Sequence, residues 1–196
     1  MVICVTDRKL CQEDFLHRIQ KVAQAKPYAV MLREKDLDLP AYERLACQVK
    51  KVCDRYGVIL ILHRYSAVAI KMQHQHLHLS MPDLRVYRRE ASVIQLGASV
   101  HSVEEAREAE ALGAAYVVAG HIYTTDCKRG IPPRGLFFLE EVCQAVDLPV
   151  LAIGGIGRNN IRQVLATGAQ GCCVRSEAMT CSDPAAFIQA LSVSSK

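Results

Sequence analysis

Tryptophan is absent from this 196-residue chain, and aromatic residues make up only 6% of it. That leaves no obvious platform for stacking bases. A formal net charge of +4 is also too small for the dense basic field of a nucleic-acid protein, although it suits a small anionic ligand. No apolar stretch approaches the roughly 20 residues needed to cross a bilayer. The nine cysteines are odd in number, form no Cys-x-x-Cys pair and fall largely in apolar runs, so they read as reduced thiols. The opening run Met1-Val2-Ile3-Cys4-Val5 is strand-like, with neither a charged lead nor a cleavage site. Together these features predict a cytoplasmic protein with no nucleic-acid or membrane partner. No Pro/Gly/Ser-rich linker divides the chain, which predicts one domain over residues 1–196.

What is present is an alternation. Short β-branched runs at 2–5, 28–32, 58–62, 76–79, 93–97, 116–119, 150–153 and 171–174 are each followed by a segment of helical periodicity. Those segments are 12–24, 41–56, 66–72, 84–89, 103–112, 136–146, 160–167 and 184–191, the third and fourth stunted. Eight strands with covering helices predict a closed (β/α)8 TIM barrel. An open doubly wound sheet would carry its glycine-rich turn after the first strand, where this chain has Thr6-Asp7-Arg8-Lys9. Ser102-Val103-Glu104-Glu105 reads as a capping box, with Glu105 reaching back to the Ser102 amide. Gly113 and Gly168 fall where left-handed helix ends are expected.

The densest glycines come after strand seven, in Ile153-Gly154-Gly155-Ile156-Gly157. Barrels often hold phosphate in the loops after strands seven and eight, so Gly154 and Gly155 read as an anion cradle. Strand eight ends in Val174-Arg175-Ser176, where Ser176 offers an amide and a hydroxyl and a short helical turn would add its dipole. The alternative is that the two glycines merely make a tight strand-to-helix turn. Arg33 and Lys35 close strand two and alternate onto one side, either as paired cations for a ligand or as a solvated charge run. The long loop from Gly120 to Arg134 is rich in polar and cationic residues, Thr125 and Lys128 among them, as a lid over an anionic substrate would be.

His121 stands immediately after strand six as a candidate general acid/base, or else as a hydrogen-bonding residue; His101 is a weaker candidate. His74, His76 and His78 alternate, which raises a metal site, but no acidic residue or cysteine interleaves with them and a strand explains the spacing. No metal or cofactor is expected. Cys127 beside Lys128 is a minor candidate nucleophile.

Taken in order, Leu32-Arg33-Glu34-Lys35, His78-Leu79, Gly97-Ala98-Ser99-Val100-His101-Ser102, Gly120-His121-Ile122-Tyr123, Ala152-Ile153-Gly154-Gly155-Ile156 and Val174-Arg175-Ser176-Glu177-Ala178 resemble the thiamin phosphate synthase/thiazole tautomerase superfamily across nearly the whole chain. The synthase branch implies a magnesium-dependent transferase joining an aminopyrimidine pyrophosphate to a thiazole phosphate. Its third strand typically ends Asn-Asp-Arg with the Asp on metal, and a second Asp follows strand four. Here the run reads Leu62-His63-Arg64, with Asp83 a match for the second carboxylate only. That branch also usually has Gln at the place of Met31, and Pro at the place of His121. The tautomerase branch carries Gly-His followed by Thr-Asp-Cys-Lys, which resembles Gly120-His121 and Thr125-Asp126-Cys127-Lys128.

The resemblance therefore implies a thiazole tautomerase, an isomerase without cofactor acting on a small phosphorylated thiazole. His121 would shuttle the proton, Gly154, Gly155 and Ser176 would hold the phosphate, and Arg33, Lys35 or Lys128 would meet the carboxylate or developing negative charge. A homodimer is also implied. The alternatives are a synthase-type transferase with an altered metal site, and a non-catalytic regulatory protein that binds a phosphorylated ligand.

Overall fold

Alternating side chains give each strand of the sheet two different faces to bury. In the computed structural model, which describes residues 1–125 and 130–192, all eight strands pair in parallel and close on themselves in the order β1 to β8. They are β1 (Val2–Val5), β2 (Ala29–Leu32), β3 (Ile59–His63), β4 (His76–Ser80), β5 (Gln95–Val100), β6 (Tyr116–Gly120), β7 (Val150–Ile153) and β8 (Gly171–Val174). The helices are α1 (Phe15–Gln24), α2 (Leu39–Tyr56), α3 (Ser66–Lys71), α4 (Met81–Val86), α5 (Val103–Ala111), α6 (Gly135–Ala145), α7 (Ile161–Ala166), α8 (Ser176–Thr180) and α9 (Pro184–Leu191). This is the (β/α)8 barrel that the alternation predicts, and α8 is the helical turn expected after strand eight.

Two hydrophobic layers follow from the alternation. Ile3, Val5, Ala29, Met31, Ile61, Val118, Leu151 and Cys173 fill the lumen. Their neighbours, such as Val2, Cys4, Val30 and Leu62, face the helices in the larger outer core. Closure is made by β1 on β8, with Val2, Ile3 and Cys4 registered against Cys172, Cys173 and Val174.

Helix starts are set by side-chain caps. Asp14 accepts from the His17 amide at 2.9 Å, which starts α1 later than periodicity suggests. Asp38 accepts from the Ala41 amide at 2.8 Å, and with Pro40 in the first turn it starts α2 earlier. Ser102 accepts from the Glu105 amide at 3.1 Å, but Glu105 reaches back to the amide of His101, at 2.6 Å, and not to that of Ser102. Gly113 and Gly168 take the left-handed conformation expected of them, with φ of +82° and +95°. No helix among the described residues is long and apolar enough to cross a membrane.

Candidate active site

A cavity of about 860 Å³ opens at the C-terminal ends of the strands. Arg33, His121, Thr125, Gly154, Gly155, Arg175 and Ser176 all line it, so seven of the residues singled out in the sequence meet in one place. Lys35 does not line it. Lys128 and Cys127 lie outside the described residues.

The glycine turn is shaped first by packing. Gly154 and Gly155 have φ of +103° and +65°, a region that favours glycine. A Cβ on Gly154 would sit 2.4 Å from the His121 Cβ, and one on Gly155 would sit 2.6 Å from the Thr124 carbonyl oxygen. The turn therefore admits the loop after β6, which docks through Ile122 N–H to Ile153 O (2.9 Å) and Tyr123 N–H to Gly154 O (3.0 Å). Asn160 holds the far side, accepting from the Gly157 amide and donating to the Gly155 carbonyl, both at 2.9 Å. The amides of Gly155, Ile156 and Ser176 have no hydrogen-bond partner among the described residues. The tight-turn reading of the glycines is met by this packing, and Gly154, Gly155, Ile156 and Ser176 line the cavity. Arg175 is tied back to Asp7 of the first loop at 3.4 Å.

On the other side of β1, the loop after β2 is clamped by a buried acid. Glu34 accepts from the Thr6 hydroxyl (2.7 Å), the Arg8 amide (3.1 Å) and the Arg8 guanidinium (3.0 Å). Arg8 also pairs both of its terminal nitrogens with Asp36 at 2.7 Å. The Asp36 carboxyl is held far below the usual range, chiefly by hydrogen bonds from Arg8 and then Lys9. Arg33, which lines the cavity, donates its backbone N–H to Thr6 Oγ1 at 3.0 Å. Tyr42 of α2 joins the ends of β2 and β3, donating to Leu32 O (2.7 Å) and accepting from His63 N–H (3.0 Å). Glu34, Tyr42 and Asn160 are the site-building residues that sequence reasoning missed. Only Asn160, sitting where a helix is about to start, carried a local signal for its part.

His63 and His78 stack under the β3–β4 end, ring centroids 5.7 Å apart. His78 bonds to Tyr116 Oη (3.1 Å) and Ser99 Oγ (2.8 Å). Burial lowers the His78 imidazole to about 3. Burial, and then the charges of His78, Arg33, Lys35 and Arg64, lower His63 to about 2. His74 lies before β4 and bonds instead to Leu60 O at 2.8 Å, so the three alternating histidines do not converge. Among the described residues no group of three His, Cys, Asp or Glu converges to hold a metal.

The third-strand position implied for magnesium does not fit that ion. Its occupant is a neutral imidazole among cations, whereas magnesium asks for hard, anionic oxygens. Asp83 is engaged at the start of α4, accepting from Ser80 Oγ at 2.6 Å.

His121 is buried. Its Cβ packs on Gly154 and its Nε2 lies 3.3 Å from the Ile131 carbonyl oxygen, which makes it a strut of the loop between β6 and α6.

The fold and the cavity define a (β/α)8 barrel with its site at the C-terminal mouth. A family model for thiamine monophosphate synthase matches residues 2–178, and the chain belongs to that family. It is 34% identical over 192 residues to a thiamine-phosphate synthase of Desulfitobacterium hafniense, covering 95% of this chain and 93% of the relative. It is 35% identical over 181 residues to thiamine-phosphate synthase 2 of Streptococcus pneumoniae, covering 91% and 86%. A solved thiamine phosphate pyrophosphorylase from Pyrococcus furiosus superposes with a TM-score of 0.82 at 27% identity, over 97% of this chain and 92% of that one.

These relatives correct the expected activity. They are named as synthases, which are transferases, so the reading as a thiazole tautomerase and isomerase is overturned. That reading leaned on Leu62-His63-Arg64 and Met31, and on His121 and the segment after Thr125. Residues 126–129 of that segment lie outside the described residues, and the contacts of His121 are those of a packing residue as much as of a proton carrier.

Proposed function

We propose that this chain is a synthase-type transferase with an altered metal site, joining a thiazole phosphate to an aminopyrimidine pyrophosphate. One observation carries the reading: a single cavity is walled on one side of β1 by the amides of Gly155, Ile156 and Ser176, and on the other by Arg33. Two anionic groups can be held there at once. In the transfer the thiazole nitrogen forms a bond to the pyrimidine carbon that bears the pyrophosphate. The carbon–oxygen bond breaks, and its electron pair leaves on pyrophosphate. The amides of the glycine turn and Ser176 anchor the thiazole phosphate, with Arg175 and Thr125 beside them. Arg33 meets the charge developing on the leaving group, which is where a cation lowers the barrier most. His121 walls the thiazole end, where it contacts the ring. Holding both partners in one cavity supplies the orientation.

Purified protein given both substrates should release thiamine phosphate and pyrophosphate in equal amounts, measured by chromatography and a pyrophosphate assay. Absence of both products, with or without magnesium, would overturn the reading. A second reading, a non-catalytic binder of a phosphorylated heterocycle, is favoured by the cationic surroundings of His63 and predicts saturable binding without product. We also infer a cytoplasmic homodimer, which analytical ultracentrifugation tests for its oligomeric state.

A further inference from the structure

β5 turns every second side chain toward the barrel axis, and Gly97, Ser99 and His101 form that series. Gly97 leaves room for the Tyr116 ring. Ser99 meets His78 Nε2 at 2.8 Å. His101, one residue beyond the strand, lines the cavity instead. Among the described residues that line it, His101 is the one supplied by the arc of β3, β4 and β5. The others come from β1, β2, β6, β7, β8 or the segments that follow them.

The imidazole is anchored along one edge. Its Nδ1 lies 2.7 Å from the carbonyl oxygen of Gly120 at the end of β6. A carbonyl oxygen only accepts, so Nδ1 must hold the proton, and in the neutral ring Nε2 is then a bare acceptor. The opposite tautomer would set the Nδ1 lone pair against the carbonyl oxygen, so the wall selects against it. The backbone is fixed as well, because the His101 amide donates to Glu105 Oε2 at 2.6 Å. No described residue bonds to Nε2. The two ring nitrogens point in nearly opposite directions, so with Nδ1 on the wall Nε2 is presented away from it.

The transfer joins two substrates whose anionic ends are met at β7 and β8 and at β2. That leaves the uncharged aminopyrimidine ring, whose exocyclic amine is a hydrogen-bond donor. Arg33 and Arg175 line the same cavity but can only donate. We propose that His101 selects the aminopyrimidine, accepting a hydrogen bond at Nε2 from its exocyclic amine. The inference rests on the transferase reading for the substrate and adds a recognition residue for the ring, which that reading leaves without one. His101 acts in its neutral form, and Gly120 holds it in the one tautomer that can accept.

Two measurements test this. Nitrogen-15 NMR of the labelled protein reports the tautomer of each neutral imidazole, assigned through its couplings to the backbone. His101 should show a protonated Nδ1 and a bare Nε2, and aminopyrimidine pyrophosphate should move the Nε2 resonance as a hydrogen bond forms on it. A proton on Nε2 in the neutral ring, or an Nε2 signal indifferent to that ligand, would overturn the proposal. This test needs no variant to fold. The second is calorimetric binding of aminopyrimidine pyrophosphate against the analogue with hydrogen in place of the amine. The unaltered protein should prefer the amine about tenfold, the scale of one neutral hydrogen bond. H101N keeps a side-chain N–H for Gly120 but offers nothing at the height of Nε2, so its preference should fall below about twofold. H101Q, whose longer amide can bring an oxygen to that height, should recover about threefold. An undiminished preference in H101N would overturn the proposal. Preference that depends on His101, without condensation, would defeat the transferase reading and leave this inference standing. Condensation with H101N as selective as the unaltered protein would do the reverse.

Discussion

The two flanks of β1 would hold the proposed anions by different physics. On the β8 side the donors are backbone amides around Gly155 and Ser176, uncharged, without rotamers and set by the pairing of β7, β8 and the loop after β6. On the β2 side the group that reaches the cavity is the Arg33 guanidinium, carried on a long side chain. The amide flank offers geometry that neither pH nor salt alters much. The cationic flank offers full charge and reach, but an exposed part of it is screened by salt and must be ordered when the ligand arrives. A small monoester suits the first, and a flexible, highly charged diphosphate suits the second.

Acid separates the flanks most strongly. His63 and His78 are depressed to about 2 and 3 in the fold, against about 6.5 in an unfolded chain. Their contribution to stability is fully present above pH 6.5. As pH falls from there toward 3 the unfolded state takes up protons that the folded state refuses, and stability is lost by about 1.4 kcal/mol per pH unit for each imidazole. Urea unfolding at pH 7 and pH 5 should show that slope, and His78→Asn should flatten it. Hydrogen exchange should report opening first at β3 and β4, and equal loosening at β7 and β8 would break the contrast.

Gly154→Ala comes next. With φ at +103° and a methyl group forced against His121, it should cost about 2–4 kcal/mol in thermal unfolding and weaken inorganic phosphate binding at least tenfold, while leaving pyrophosphate binding at the other flank within about twofold. Arg33→Ala should weaken pyrophosphate binding about tenfold and flatten its salt dependence in calorimetry at two ionic strengths, with stability nearly unchanged. Smallest is Ser176→Ala. It removes one hydroxyl but keeps the amide, so phosphate binding should fall only about two- to fivefold.

The same division governs what the sequence made legible. All eight strands were visible as β-branched runs, because each buries one side chain in the lumen and the next against a helix. Gly97 looks like a terminator, yet β5 runs on to Val100, because the glycine makes room for the Tyr116 ring; a Cβ there would lie 2.1 Å from it. The amide flank could be read because glycines and a serine at strand ends are a local pattern. The scaffold of the cationic flank could not. Glu34 and Tyr42 matter through Arg8, Thr6 and His63, partners that only folding brings near. The activity is not legible for a related reason: Leu62-His63-Arg64, Met31 and the run around His121 point locally to one branch, whereas the likeness to synthases extends over the whole chain.

The pairing of β8 with β1 has a consequence for how the molecule comes to exist. Ser176 and Arg175 follow the last strand, Asp7 follows the first, and the Arg175–Asp7 contact stands where the two meet. The proposed anion anchor is therefore built on the seam that the barrel closes last along the chain. A chain lacking either edge has strands, helices and a glycine turn, but no finished place for a phosphate. Occupying that place stitches the seam from outside, so ligand should protect β1 and β8 together from local opening. Affinity for phosphate becomes a certificate of completed assembly as well as of chemistry.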